Sequence, residues 1–166
     1  MTAAGVLVAL LLMALATVAL AGTTTPVKSA SNSTLKETVV VNAQGRTLYA
    51  LSPETTHHLL CTSSECFNHW PPLTVRSSKT KLKAGPGVHG SLGILRRSNG
   101  TFQVTLRGLP LYRYSEDHAK GEANGQGIES FGGTWHAATA SASSAKTTPT
   151  TPTTPSAPTP EPYPSY

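Results

Sequence analysis

Two groups of residues in this chain have the types and spacing to do chemistry. The first is Tyr112-Arg-Tyr114-Ser-Glu-Asp117, with two phenols and two carboxylates within six positions; Asp117 is the only aspartate in 166 residues. On a strand, alternation puts Tyr112 and Tyr114 on one face, and Asp117 falls just past the strand end. Used structurally, the rings pack a core and Asp117 ties the following loop through backbone N–H groups. Used functionally, they form an aromatic pair with an acid beside it, ready to contact a ligand. Buried tyrosine–aspartate networks ordinarily serve as scaffolding, and that is the expectation here.

The second group is His57, His58, Cys61, Cys66 and His69, all within thirteen residues. The pattern His57-x3-Cys61-x4-Cys66-x2-His69 offers two thiolates and two imidazoles, a set suited to copper(I) or zinc, although it matches no standard zinc spacing. In an exported chain the oxidising default is a Cys61–Cys66 disulfide, which by closing so short a loop contributes about 2 kcal/mol in the chain-entropy model. The disulfide is the expected state. Copper or zinc on His57, Cys61, Cys66 and His69, or haem ligated by the histidines, is the alternative. The remaining histidines, His89, His118 and His136, are scattered and read as ordinary polar or packed residues.

Export itself is read from the N-terminus. Gly5 to Gly22 is an uncharged apolar run ending in Ala19-Leu20-Ala21, the small-x-small pattern of a signal-peptidase site. Residues 1–21 are thus expected to be a signal peptide, or a membrane anchor if left uncut. No lysine or arginine precedes the run, and no cysteine follows it to accept a lipid. Residues 22–36 read as a polar linker and 37–140 as the domain. From 141 to 166 the chain is serine, threonine, alanine and proline, a composition expected to be disordered and to suit a spacer or O-glycosylated tail.

The formal net charge is +5, with basic residues gathered at Arg76, Lys79, Lys81 and Lys83 and again at Arg96-Arg97. Outside the cell this suits an anionic cell-wall polymer, a lipid surface or an envelope protein more than nucleic acid. There is no Gly-x-Ser-x-Gly, no P-loop and no His-Glu-x-x-His, and one aspartate with few glutamates makes a dedicated carboxylate pair improbable. The expectation is a binding or structural module with no enzymatic activity and no resident cofactor.

The elements that must position these residues are strands. Val39-Val40-Val41 and Thr47 to Leu51 flank a turn at Asn42 to Gly45, and Ser52-Pro53 ends the second run. Leu92 to Arg97 and Thr101 to Leu106 flank Ser98-Asn99-Gly100, where Asn-Gly tolerates the positive φ of a tight hairpin turn. Leu109 to Tyr114 and Thr134 to Ala138 follow as further strands. No segment keeps an apolar 3.6-residue period long enough for a confident helix. The fold class is mainly β, a small antiparallel domain with long loops.

The chain also echoes itself. Gly45-Arg-Thr-Leu-Tyr-Ala-Leu-Ser52 aligns with Gly108-Leu-Pro-Leu-Tyr-Arg-Tyr-Ser115, and Tyr49 precedes Trp70 by 21 residues as Tyr112 precedes Trp135 by 23. This implies two similar repeats, about 38–75 and 91–140, packed around one core with Tyr49, Trp70 and Trp135 among its aromatics. The Tyr-x-(aromatic)-x-x-Asp motif at Tyr112 to Asp117, followed by Asn124-Gly-Gln-Gly and Phe131-Gly-Gly-Thr-Trp-His136, resembles the bacterial secreted repeat of unknown function. The upstream Gly45 to Tyr49, Cys61, Cys66 and Trp70-Pro-Pro72 fit that family's first repeat. In the first repeat Leu51 and Glu54 stand in place of the second aromatic and the aspartate. The resemblance implies an extracytoplasmic, lipoprotein-like location and a two-repeat architecture, with no reaction attached.

Overall fold

A computed structural model of the chain describes residues 23–141. The expected signal peptide and all but the first residue of the expected tail lie outside the described residues.

Short β-branched and aromatic runs separated by glycine, asparagine and proline give strands and little else. In chain order these are β1 (Thr23–Thr24), β2 (Val27–Asn32), β3 (Glu37–Asn42) and β4 (Tyr49–Ser52), then helix α1 (Ser64–His69). After it come β5 (Thr74–Val75), β6 (Lys81–Leu82), β7 (Leu92–Arg96), β8 (Phe102–Leu106), β9 (Leu109–Pro110), β10 (Glu129–Ser130) and β11 (Gly133–Ala137). The fold is mainly β, in small sheets that do not close into a barrel. The Asn99-Gly100 hairpin forms as its sequence demands: β7 pairs antiparallel with β8, and Gly100 sits at φ 83°. Among the described residues no helix is long and apolar enough to cross a membrane.

Two expectations are corrected. Residues 23–36 are not a linker: β2 pairs with β3 over its whole length, Val27 to Asn42 through Asn32 to Glu37, and Val27 and Asn32 are buried. The polar composition of Val27-Lys-Ser-Ala-Ser-Asn32 hides the strand because backbone bonding to Val39–Val41 needs no apolar side chain on the partner. The loop before Trp70 holds one turn of helix, α1. Ser63 caps it by accepting a hydrogen bond from the Cys66 amide, and its six residues are too short to show periodicity.

The two repeats do not pack as separate units; they exchange strands. β4 of the first repeat pairs antiparallel with β11 of the second, Tyr49 opposite Ala137 and Ser52 opposite Thr134. In return β5 of the first repeat pairs with β8 of the second. The backbone bonds of the two halves correspond one to one. Leu48 N–H donates to Val40 (2.9 Å), Val40 N–H to Ala138 (2.7 Å) and Ala138 N–H to Leu48 (2.8 Å). In the other half Leu111 donates to Val104 (3.0 Å), Val104 to Leu73 (2.7 Å) and Leu73 to Leu111 (2.9 Å). The halves meet at Tyr49 and Tyr112, whose amides and carbonyls exchange bonds of 2.8 and 2.9 Å. This pattern is a pseudo-two-fold in which each hairpin takes its third strand from the other repeat.

Candidate functional site

The residues singled out by spacing converge on the pseudo-two-fold. Trp70 and Trp135 stack face to face at its centre, ring centroids 3.8 Å apart and planes 4° from parallel. Tyr49 meets Trp70 edge-on at 5.5 Å, as Tyr112 meets Trp135 at 5.0 Å. Each tryptophan therefore packs against its partner from the other repeat rather than closing a unit of its own. Tyr49, Tyr112, Trp70 and Trp135 are all at most 1% exposed. Tyr114, half-buried, lies over Trp70 at 4.4 Å, so both tyrosines of the motif face one aromatic cluster.

The acids cross over as the strands do. The Tyr49 hydroxyl of the first repeat donates to Asp117 Oδ2 of the second at 2.6 Å. The Tyr112 hydroxyl of the second donates to Glu54 Oε2 of the first at 2.8 Å. Glu54 thus fills the role of Asp117, with Tyr49-x4-Glu54 answering Tyr112-x4-Asp117. Each carboxylate spends its other oxygen on a loop. Asp117 Oδ1 accepts from Asn124 N–H at 2.9 Å, and Glu54 Oε1 from Leu60 and Cys61 N–H at 3.0 and 3.2 Å. Both phenols are held above the ordinary tyrosine pKa. For Tyr49 the causes are burial, then the hydrogen bond to Asp117; for Tyr112 they are burial, then the charge of Glu54.

Arg97 is the residue that sequence reasoning misplaced. It was grouped with Arg96 as surface charge, but only Arg96 is exposed; Arg97 is 4% exposed. Its guanidinium donates to the Tyr112 hydroxyl, to Gln103 Oε1 and to the Cys61 carbonyl (3.2 Å), and lies 4.0 Å from Glu54. The donor fork is spent on the phenol, the Gln103 side chain and a backbone carbonyl, while its charge faces the buried carboxylate. The available signal was position: Arg97 directly follows β7 at the hairpin turn, where continued alternation from the exposed Arg96 sends its side chain inward.

Cys61 and Cys66 form the disulfide, Cα atoms 5.6 Å apart, in the buried wall next to Arg97. The metal alternative is thereby corrected. Both thiols are consumed, His57 and His69 lie exposed, and among the described residues no three histidine, cysteine, aspartate or glutamate side chains gather to hold an ion. A soft two-thiolate set cannot exist while the sulfurs are bonded to each other.

Beside the largely buried motif, two of the surface clefts are related by the pseudo-two-fold. One, of about 370 Å³, is walled by Arg46, Gln44, Asn42, Arg113, Tyr114 and Ser115. The other, of about 490 Å³, occupies the matching place and is walled by Leu109, Leu106, Ala50, Leu51, Ser52 and His136 among others. Arg46 corresponds to Leu109, Arg113 to Ala50, Tyr114 to Leu51 and Asn42 to Leu106. The apolar cleft's own arginine, Arg107, is committed to the carbonyls of His89 (2.7 Å) and Thr139 (2.9 Å).

An intertwined tandem-repeat β module, its shared aromatic–acid motif turned inward, is the class of protein these features define. Residues 93–139, within the second repeat, match the profile of the family described as a secreted repeat of unknown function. The match takes in Tyr112, Tyr114, Asp117 and Trp135. Neither among curated proteins nor among solved structures does anything match the chain.

Proposed function

We propose that this protein is a non-enzymatic extracytoplasmic module that works by binding, with anionic cell-wall polymer as the partner and the envelope as its place of work. One observation carries the reading. The Tyr49 and Tyr112 phenols and the Asp117 and Glu54 carboxylates are buried and hydrogen-bonded across the repeat boundary, so these groups, well suited to acid–base chemistry, are spent on holding the halves together. What remains exposed is largely cationic, including Arg76, Lys79, Lys81, Lys83, Arg96 and Arg113. The secreted family, the apolar N-terminal run and the Ser/Thr/Pro-rich end of the sequence support an exported location.

Co-sedimentation with purified insoluble wall material tests this. The exported protein is expected in the pellet at low ionic strength and in the supernatant as salt rises, because exposed charge contacts are screened. Protein that stays in solution at low salt, or that turns over a defined substrate at an enzyme-like rate, refutes the reading.

A further inference from the structure

We infer that the polar cleft between Arg46 and Arg113 is the ligand site, and that its ligand is an acidic sugar or polyol unit, bearing phosphate or carboxylate, of a cell-surface polymer. This rests on the binding function proposed above and names the surface that performs it.

The argument begins with what the fold does not require. The two halves keep the same interior: tyrosine, acid, tryptophan and matching backbone bonds. At the cleft they differ at nearly every wall position. The sister cleft shows that leucine and alanine serve the fold at the places of Arg46 and Arg113, so the arginines are not demanded by packing.

Among the described residues neither Arg46 nor Arg113 has a carboxylate within 4.0 Å. Neither charge is thus taken up by a direct ion pair there, although Glu122 lies within coulombic reach of Arg46. The acid nearest the floor, Asp117, is 2% exposed and has both oxygens committed to Tyr49 and Asn124. Arg46 is oriented by its guanidinium bond to the Asp117 carbonyl and by its amide bond to Asn42 Oδ1 (2.9 Å). Arg113 is anchored by its amide to the Pro71 carbonyl (2.9 Å) and leaves its side chain exposed. Guanidinium forks match phosphate and carboxylate oxygens in pairs. Between them Tyr114 offers a half-exposed ring on which the apolar face of a sugar can lie, while Gln44 and Ser115 supply partners for hydroxyls. A cleft of about 370 Å³ suits one such unit of a chain passing across the surface.

The test is titration of the full exported protein with poly(glycerol phosphate), polygalacturonate, uncharged dextran and phosphatidylglycerol vesicles. Binding to either anionic polymer and not to dextran is expected, and the preferred polymer tells phosphate from carboxylate. Arg113→Gln is expected to weaken binding about tenfold, whereas replacing Lys79, Lys81 and Lys83 together by Gln weakens it less. Arg46→Gln tests the second fork, with a thermal melt to confirm that the fold survives. Amide shifts confined to Arg46 and Arg113–Ser115 on adding glycerol phosphate are the independent readout. Full binding by Arg113→Gln, with loss in the lysine variant, overturns this inference and leaves the binding function standing. No binding by the wild-type protein to either polymer overturns both, and binding to the vesicles alone replaces the sugar polymer with a membrane surface.

Discussion

The half of the molecule around Tyr112 and the half around Tyr49 solve one problem by different means. Around Tyr112, Glu54 is paired with a buried arginine, and the loop it holds is closed by the Cys61–Cys66 disulfide. Around Tyr49, no cation among the described residues pairs with the Asp117 carboxylate. Its loop is closed by the Asn124 amide and by Gly125, whose own amide reaches the Tyr49 hydroxyl at 3.3 Å. A Cβ at Gly125 would stand 2.7 Å from the Trp70 ring, so only glycine lets that backbone approach. Strand exchange fixes the tyrosine, acid and tryptophan, because each repeat must present them to the other. The reinforcement around them, and the clefts outside them, are left free to diverge.

Cutting the exchange has the largest expected effect. Fragments 23–78 and 79–141, each lacking the third strand that the other supplies, are expected to be unfolded alone and to recover dispersed amide NMR signals when mixed. A fragment that folds unaided would show that the repeats are autonomous. Next come the two acids. Glu54→Gln strands the Arg97 charge in the core and is expected to cost about 3–5 kcal/mol in urea unfolding. Asp117→Asn keeps an acceptor for Asn124, leaves no cation behind and is expected to cost about 1–2 kcal/mol. Equal costs would mean that Arg97 is not what distinguishes the halves.

Alkaline pH probes what the halves share. Both tyrosines hold their protons more tightly folded than unfolded. Below about pH 10 both states are protonated and the contribution to stability is intact; above it the unfolded chain releases protons that the folded one retains, so stability falls. The slope approaches about 1.4 kcal/mol per pH unit for each tyrosine only above about pH 11, so urea unfolding between about pH 9 and 11 is expected to show a total loss of about 1.4 kcal/mol per tyrosine. Tyr49→Phe and Tyr112→Phe should each remove about half of the slope the pair supplies. The disulfide probes what is unique to one half. Replacing Cys61 and Cys66 by alanine is expected to cost about 2 kcal/mol. The loss should combine non-additively with Glu54→Gln, which shares Cys61 with it through the backbone, and additively with Asp117→Asn.

Much of this was legible in the residues. The repeat showed in Gly45–Ser52 against Gly108–Ser115, the hairpin in Asn99-Gly100, and the scaffolding role of Asp117 in its place after a strand. What escaped was whatever depends on a partner far along the chain. The β2 strand has no alternation of its own because it is held by the backbone of β3. Arg97 reads as surface charge until Glu54, 43 positions earlier, is known to lie beside it. The exchange itself has no local signature, since each strand looks the same whichever repeat it joins. The clefts were invisible for the same reason: their walls come from both repeats.

The smallest expected effect on stability is also the sharpest test of why the clefts differ. Ala50 occupies the place of Arg113 at the mouth of the apolar cleft and is only partly buried. Ala50→Arg adds a surface cation and is expected to shift stability by less than about 0.5 kcal/mol. If cleft chemistry follows from wall residues on an otherwise duplicated frame, the variant should take up a second, weaker equivalent of glycerol phosphate, seen as amide shifts at Ala137–Thr139 that the wild-type protein lacks. A single site with unchanged shifts there would mean that Arg46, whose counterpart is Leu109, is indispensable. The Ala50→Arg/Leu109→Arg double variant then decides whether two arginines suffice to turn one cleft into the other.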